Sequence, residues 1–261
     1  MKLIFGDSHV SALKAAIGPK ASPYTLIANH GKNLIDMQLD LVGDTLRVFA
    51  DNTSASVPLD VTLTKGDRVV LSGPLHSSLV SRHRFWKSTA PWTMHEHFPK
   101  RQLASGNFIK TLAQDRTASM VQLLETAISA GISVAVLEPP RLSRRALTES
   151  GIDERVLVHV DETYRAEVRA LVEATGTVVI DTPKDTHDGA FMRASYQAMS
   201  DTDVHHGNKD YGILALANAA AFLDDETSGA EDAKTTTDTS QTDTPQTGKA
   251  RKSILQKLLK A

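Results

Sequence analysis

Short apolar runs alternate along this chain with longer stretches whose apolar residues recur at helical spacing. Leu3 to Gly6 reads as a first strand. From Ser8 to Ile17, Val10, Leu13, Ala16 and Ile17 share one helical face, and Gly18-Pro19 ends it. Tyr24 to Ala28 reads as a second strand, and Val69-Val70-Leu71 as a third, stopped by Ser72-Gly73-Pro74. Phe108 to Ala130 predicts a long helix closed by Gly131, followed by a fourth strand, Ile132 to Leu137, that runs into Pro139-Pro140. A helix from Glu154 to Thr175, a fifth strand from Thr177 to Ile180 and a last helix from Tyr211 to Leu223 complete the alternation. Strands this short and this rich in valine and isoleucine suit a parallel sheet buried on both faces by helices. Ligands of such sheets bind beyond the carboxyl ends of the strands. Ser8, Gly31, Gly73, Glu138 and Asp181 each follow a predicted strand, so the chemistry is expected along that edge.

Three segments break the pattern. Thr45 to Leu63 holds two apolar runs that predict an extra hairpin. Ser81 to Gly106 is a long connection with no clear period, and loops of that length usually carry function or move. After a domain spanning residues 1–223, residues 224–250 turn to threonine, aspartate, alanine and serine and read as a solvated, disordered linker. Residues 251–261 then form a short basic helix with Ile254, Leu255, Leu258 and Leu259 on one face, able to contact a partner or an anionic membrane surface.

Composition narrows the function. The formal net charge of -2 gives no reason to expect nucleic acid as a partner. The chain has no cysteine, which excludes disulfides, thiolate metal sites and a cysteine nucleophile. No apolar run reaches the length of a membrane span, and Asp7 interrupts the first apolar run before a secretory core could form. The expectation is a cytoplasmic protein; its oligomeric state cannot be read from the sequence.

Candidate chemistry sits at the two ends of the predicted domain. Gly6-Asp7-Ser8-His9 places a serine where the first strand gives way to the first helix. There a hydroxyl is presented at the sheet edge beside free backbone N–H groups. Serine is also a common helix cap, so alone the motif says little. Near the other end, Asp203-Val204-His205-His206-Gly207-Asn208 adds an acid and a histidine three residues apart. A hydroxyl, a base and a carboxylate that orients the base are the parts of a nucleophilic hydrolase. Asp201 and His205 compete for the same roles; the offset of three and the following Gly207-Asn208 favour Asp203 and His206.

Together with Gly31 after the second strand, these blocks resemble the SGNH (GDSL-type) hydrolase superfamily over residues 1–223. Gly-Asp-Ser-His with His206-Gly207-Asn208-Lys209-Asp210-Tyr211-Gly212 is similar to one bacterial branch of it. The resemblance implies a three-layer α/β/α sandwich with a five-stranded parallel sheet, flavodoxin-like in kind. It implies Ser8 as nucleophile, His206 as base, Asp203 as its orienter, and the N–H groups of Ser8 and Gly31 as oxyanion donors. The third block departs from the pattern. Gly73-Pro74-Leu75-His76 has proline where the branch carries an asparagine. Proline offers neither an amide side chain nor an N–H. His76 after Gly73, or a residue at the end of the long connection such as Asn107, is expected to stand in; otherwise the activity is expected to be weak. The implied activity is hydrolysis of a small-molecule acyl ester, including carbohydrate deacylation. Acyl transfer to a sugar or alcohol and a noncatalytic binding module are the alternatives, the latter favoured by Pro74.

Other signals are weaker. His95-Glu96-His97, with His83 nearby, has no third ligand at a convincing spacing, so neither a metal nor a cofactor is expected. Trp86, Trp92, Phe85 and Phe98 lie in the long connection, either anchoring it or forming a lid over substrate. Pro139-Pro140-Arg141 suits a rigid turn that shapes a pocket wall.

Overall fold

The computed structural model describes residues 1–19, 21–29, 34–50 and 59–225. Gly31, residues 51–58 of the expected hairpin, the linker from residue 226 onward and the basic C-terminal helix lie outside the described residues.

Five parallel strands form the central sheet: β1 (Lys2–Gly6), β2 (Thr25–Ala28), β3 (Arg68–Ser72), β4 (Ser133–Leu137) and β5 (Val178–Ile180). Their spatial order is β2-β1-β3-β4-β5, the flavodoxin-like order of a doubly wound sheet. Leu3, Ile4 and Phe5 of β1 are fully buried, as a strand covered on both faces requires. Four helices cover the sheet: α1 (Val10–Ile17), α2 (Phe108–Ser129), α3 (Glu154–Glu173) and α4 (Lys209–Asp224). On one face Val10 and Leu13 of α1 pack with Tyr211, Ala215, Ala219 and Leu223 of α4 over Ile4, Val70 and Ala135. The helices α2 and α3 pack together and against β4 and β5. The contact of α1 with α4 is close. A Cβ on Gly212 would lie 2.0 Å from the carbonyl oxygen of Ala12.

The register aligns the carboxyl ends. Gly6 lies opposite Ala28 and Ser72, Ser72 opposite Leu137, and Leu137 opposite Ile180. The turns after all five strands therefore open on one edge. Gly6 is required there, because a Cβ would lie 2.0 Å from Ser72 O.

The inserts are more ordered than their sequence suggests. Gln38–Val42, Thr45–Ala50 and Leu59–Thr64 form a three-stranded antiparallel sheet, so the expected hairpin gains a strand. Within the long connection, Thr89–Pro91 pairs with Gln102–Ala104, and the Trp86 indole is buried and donates to Val80 O at 2.9 Å. Trp86 anchors the segment, whereas Trp92 is exposed and stacks on His95. No helix among the described residues is long and apolar enough to cross a membrane.

Candidate active site

Ser8 sits in the turn between β1 and α1, two residues ahead of the helix that its pattern had included. Asp7 makes this turn: its Oδ1 accepts the His9 N–H at 3.0 Å and holds the chain back from helical continuation. Ser8 O still accepts from Ser11 N at 3.0 Å, so the hydroxyl is carried on the approach to the helix N-terminus. Among the described residues, the Ser8 N–H meets no acceptor.

His206 and Asp203 come from the loop ahead of α4. Asp203 Oδ1 accepts the His206 N–H at 3.0 Å and the His205 N–H at 3.3 Å, a local turn that fixes the acid relative to the base. The imidazole folds back on the same carboxylate, with Nδ1 2.8 Å from Oδ2. The other ring nitrogen, Nε2, lies 2.6 Å from Ser8 Oγ. Hydroxyl, imidazole and carboxylate thus form one unbroken hydrogen-bonded chain across the sheet edge. Burial works to raise the Asp203 pKa, but the amide and ring of His206 outweigh it and hold the carboxyl below its usual range. A carboxylate that stays ionised keeps Nδ1 protonated and leaves the Nε2 lone pair toward Ser8.

The loop is braced by its neighbours. Asn208 caps α4, its Oδ1 accepting from Asp210 N at 3.0 Å and Tyr211 N at 3.1 Å. Its Nδ2 donates to Ser195 O at 2.7 Å, and Ala198 N donates to His206 O at 3.0 Å. Asn208 therefore braces the loop that carries His206. Asp201 lies at the surface beside Arg145. His205 packs against His206 and stacks on His76, and burial with the nearby His206 pushes its pKa down to about 4.

Ser8, Asp203 and His206 open into a cleft of about 380 Å³, bounded also by Ala12, Met199 and Asn208. Gly73 and His76 lie elsewhere on the edge. With Asp7 and Pro74 they line a separate cavity of about 50 Å³ on the inner side of the turn. His9 stands at the boundary: it lines the Ser8 cleft, and its ring meets both His206 and His76. Sequence reasoning passed over Asp7 and His9 as chemical groups. The signal was available in their positions one residue either side of Ser8.

No protein-family model and no curated protein matches the chain. Among solved structures it is similar to the acetyl xylan esterase AlAXEase, at 14% identity over 85% of this chain and 98% of that one, with a TM-score of 0.41. It is also similar to a carbohydrate acetylesterase family member from Sinorhizobium meliloti, at 13% identity over 84% of this chain and 95% of that one, with a TM-score of 0.39.

Proposed function

We propose that this protein is a serine hydrolase that cleaves a small acyl ester through an acyl-enzyme. The observation that carries the reading is the hydrogen-bonded chain from Ser8 Oγ through His206 to Asp203. His206 Nε2 takes the Ser8 proton as Oγ attacks the ester carbonyl. The Ser8 N–H supports the resulting oxyanion. His206 then gives the proton to the leaving alcohol, and a water activated by the same nitrogen releases the acid. Asp203 keeps the imidazole in the tautomer that this sequence needs. The cleft of about 380 Å³ is near the lower end of the usual range for ligand pockets, which suits a short acyl group. Its small side chains, Ala12 and Ala15, leave room beside the nucleophile.

One observation favours a second reading. Pro74, facing the inner cavity, contributes no donor to the Ser8 cleft. Losing one oxyanion donor typically costs about 10²–10³ in rate. A noncatalytic module that binds acylated ligands in the same cleft is the reading this would favour.

The deciding experiment measures hydrolysis of short-chain aryl esters and acetylated sugars by the wild type and Ser8→Ala. Intact mass after fluorophosphonate treatment is read in parallel. Turnover and an adduct, both lost in Ser8→Ala, are expected. Folded wild type that gives neither would turn the assignment to the binding module.

A further inference from the structure

The hydrolytic reading leaves a second polar cluster unused on the inner side of the Ser8 turn. Asp7 and His9 flank the nucleophile, and both are buried, at 4% and 2% exposure. With Oδ1 of Asp7 held by the His9 amide, Oδ2 is left facing two imidazoles. His76 Nδ1 lies 3.6 Å from it and His9 Nε2 3.9 Å, both too far for a hydrogen bond. Among the described residues, both ring nitrogens of His9 and Nε2 of His76 are buried without a hydrogen-bond partner. Groups of this kind are rarely left unmatched in a protein interior.

We propose that Asp7, His9 and His76 form a binding site for a divalent transition-metal cation of the zinc class. Two imidazoles and one carboxylate, with a remaining position open, are a recognised ligand set for such ions. One ligand atom from each residue lies within 4.8 Å of the others. Around four-coordinate zinc, with bonds of about 2.0–2.1 Å, neighbouring ligand atoms are roughly 3.4 Å apart. The distances of 3.6 and 3.9 Å to Asp7 Oδ2 need a contraction of a few tenths of an ångström, and the two imidazole nitrogens, within 4.8 Å of each other, would close on the ion with them. The cation would engage imidazole lone pairs that nothing else meets. It would also give the buried Asp7 carboxylate a counter-charge. The cavity of about 50 Å³ beside Asp7 and His76 has room for a water at the open position.

A competing set shares His9. His9, His205 and His206 also bring ligand atoms within 4.8 Å. His206, however, already engages Ser8 with one nitrogen and Asp203 with the other. A cation there would have to break that chain, whereas the Asp7 set breaks no hydrogen bond. The site does not depend on ester hydrolysis. Its effect would be to tie the turn after β1 to the turn after β3 and so fix the backbone that carries Ser8.

The test uses the full chain, stripped with a chelator and titrated with Zn²⁺ by calorimetry, with Co²⁺ as a spectroscopic substitute. One equivalent is expected, and the cobalt spectrum should show nitrogen and oxygen ligation. Asp7→Asn and His76→Gln, checked for folding by circular dichroism, should each weaken binding at least tenfold. His205→Gln and His206→Gln should bind as the wild type does. Folded wild type that binds no zinc overturns the proposal. So does binding that survives both Asp7→Asn and His76→Gln, or that is lost in His205→Gln or His206→Gln. If His76→Gln does not fold, X-ray absorption of the cobalt-loaded wild type decides. Two imidazoles with oxygen ligands are expected, and three imidazoles would overturn the assignment.

Discussion

Asp203 divides its carboxylate between backbone and side chain, and that division predicts what its replacement does. Asparagine at 203 keeps an oxygen for the His206 amide, so the loop should hold its shape. It also presents an amide to Nδ1 and no charge, which favours the tautomer that points a proton at Ser8. On the proposed mechanism, Asp203→Asn should therefore lower kcat by about 10⁴ with little change in Tm, judged by the same substitution in known serine triads. Ester turnover and thermal melting on one sample check both halves. Ser8, His206 and Asp203 could be picked out as candidates because Ser8 follows the first strand and Asp203 and His206 lie three residues apart. The setting of His76 could not. Whether a residue after a strand turns toward the cleft or away from it depends on where its own turn bends, and after β3 that bend closes with the His76 N–H donating to Gly73 O at 2.9 Å. His76 accordingly shares a cavity with Asp7 and not with Ser8.

Helix ends show the same dependence on single polar groups. α4 begins two residues before its apolar pattern because Asn208 accepts two of the free N–H groups of its first turn. Asn208→Ala should cost about 1 kcal/mol through the lost cap. It should also lower kcat, since the loop bearing His206 loses its tie to Ser195. Asp153 plays the equivalent part at α3. Its Oδ1 accepts from Arg155 N at 3.0 Å, and the Arg155 guanidinium holds its carboxyl below the usual range. A depressed folded pKa means the charge contributes stability above the unfolded value of 3.8 and loses it as pH falls through the folded one. Asp153→Ala should lower Tm by a few degrees near pH 7, and the gap should narrow below about pH 4. Melting curves across that range test the sign. The central strands were readable because burial on both faces forces continuous apolar runs. Gln38–Val42 escaped because four of its five residues are exposed, and the short alternation of Leu39 and Leu41 with Gln38 and Asp40 makes no continuous apolar run.

At the scale of the molecule, the edge that carries the site is held by a buried ionic network. Arg165 of α3 meets Asp161 Oδ2 at 3.1 Å and Glu138 Oε1 at 3.5 Å, and donates to Pro139 O at 3.2 Å and Pro140 O at 2.8 Å. Asp161 also accepts from the Ser77 hydroxyl, and Glu138 Oε2 accepts from Thr182 N at 3.2 Å. One guanidinium thus joins the turns after β3, β4 and β5 to one helix. Leu157, Asp161, Arg165, Val168 and Val172 follow one another at helical spacing and are all buried. The ion pair lies in the apolar stripe itself. A charged pair four residues apart on a helix reads in sequence as a solvated surface pair, so only the fold shows that it is internal. Arg165→Met would take the most buried cation from two buried carboxylates, leaving Asp161 with Arg141 at 3.8 Å and Glu138 with Arg169 at 3.5 Å, and breaking such a pair costs up to about 3–5 kcal/mol. For a domain of this size that is a fall in Tm of roughly 6–20 °C. Adding Asp161→Leu and Glu138→Gln should recover much of it, because the uncompensated charge, and not the missing bridge, dominates the loss. If the single and triple variants melt together, charge burial is not what holds this edge. If the triple variant regains Tm but not ester turnover, the network's remaining role is to set the turns that position Ser8.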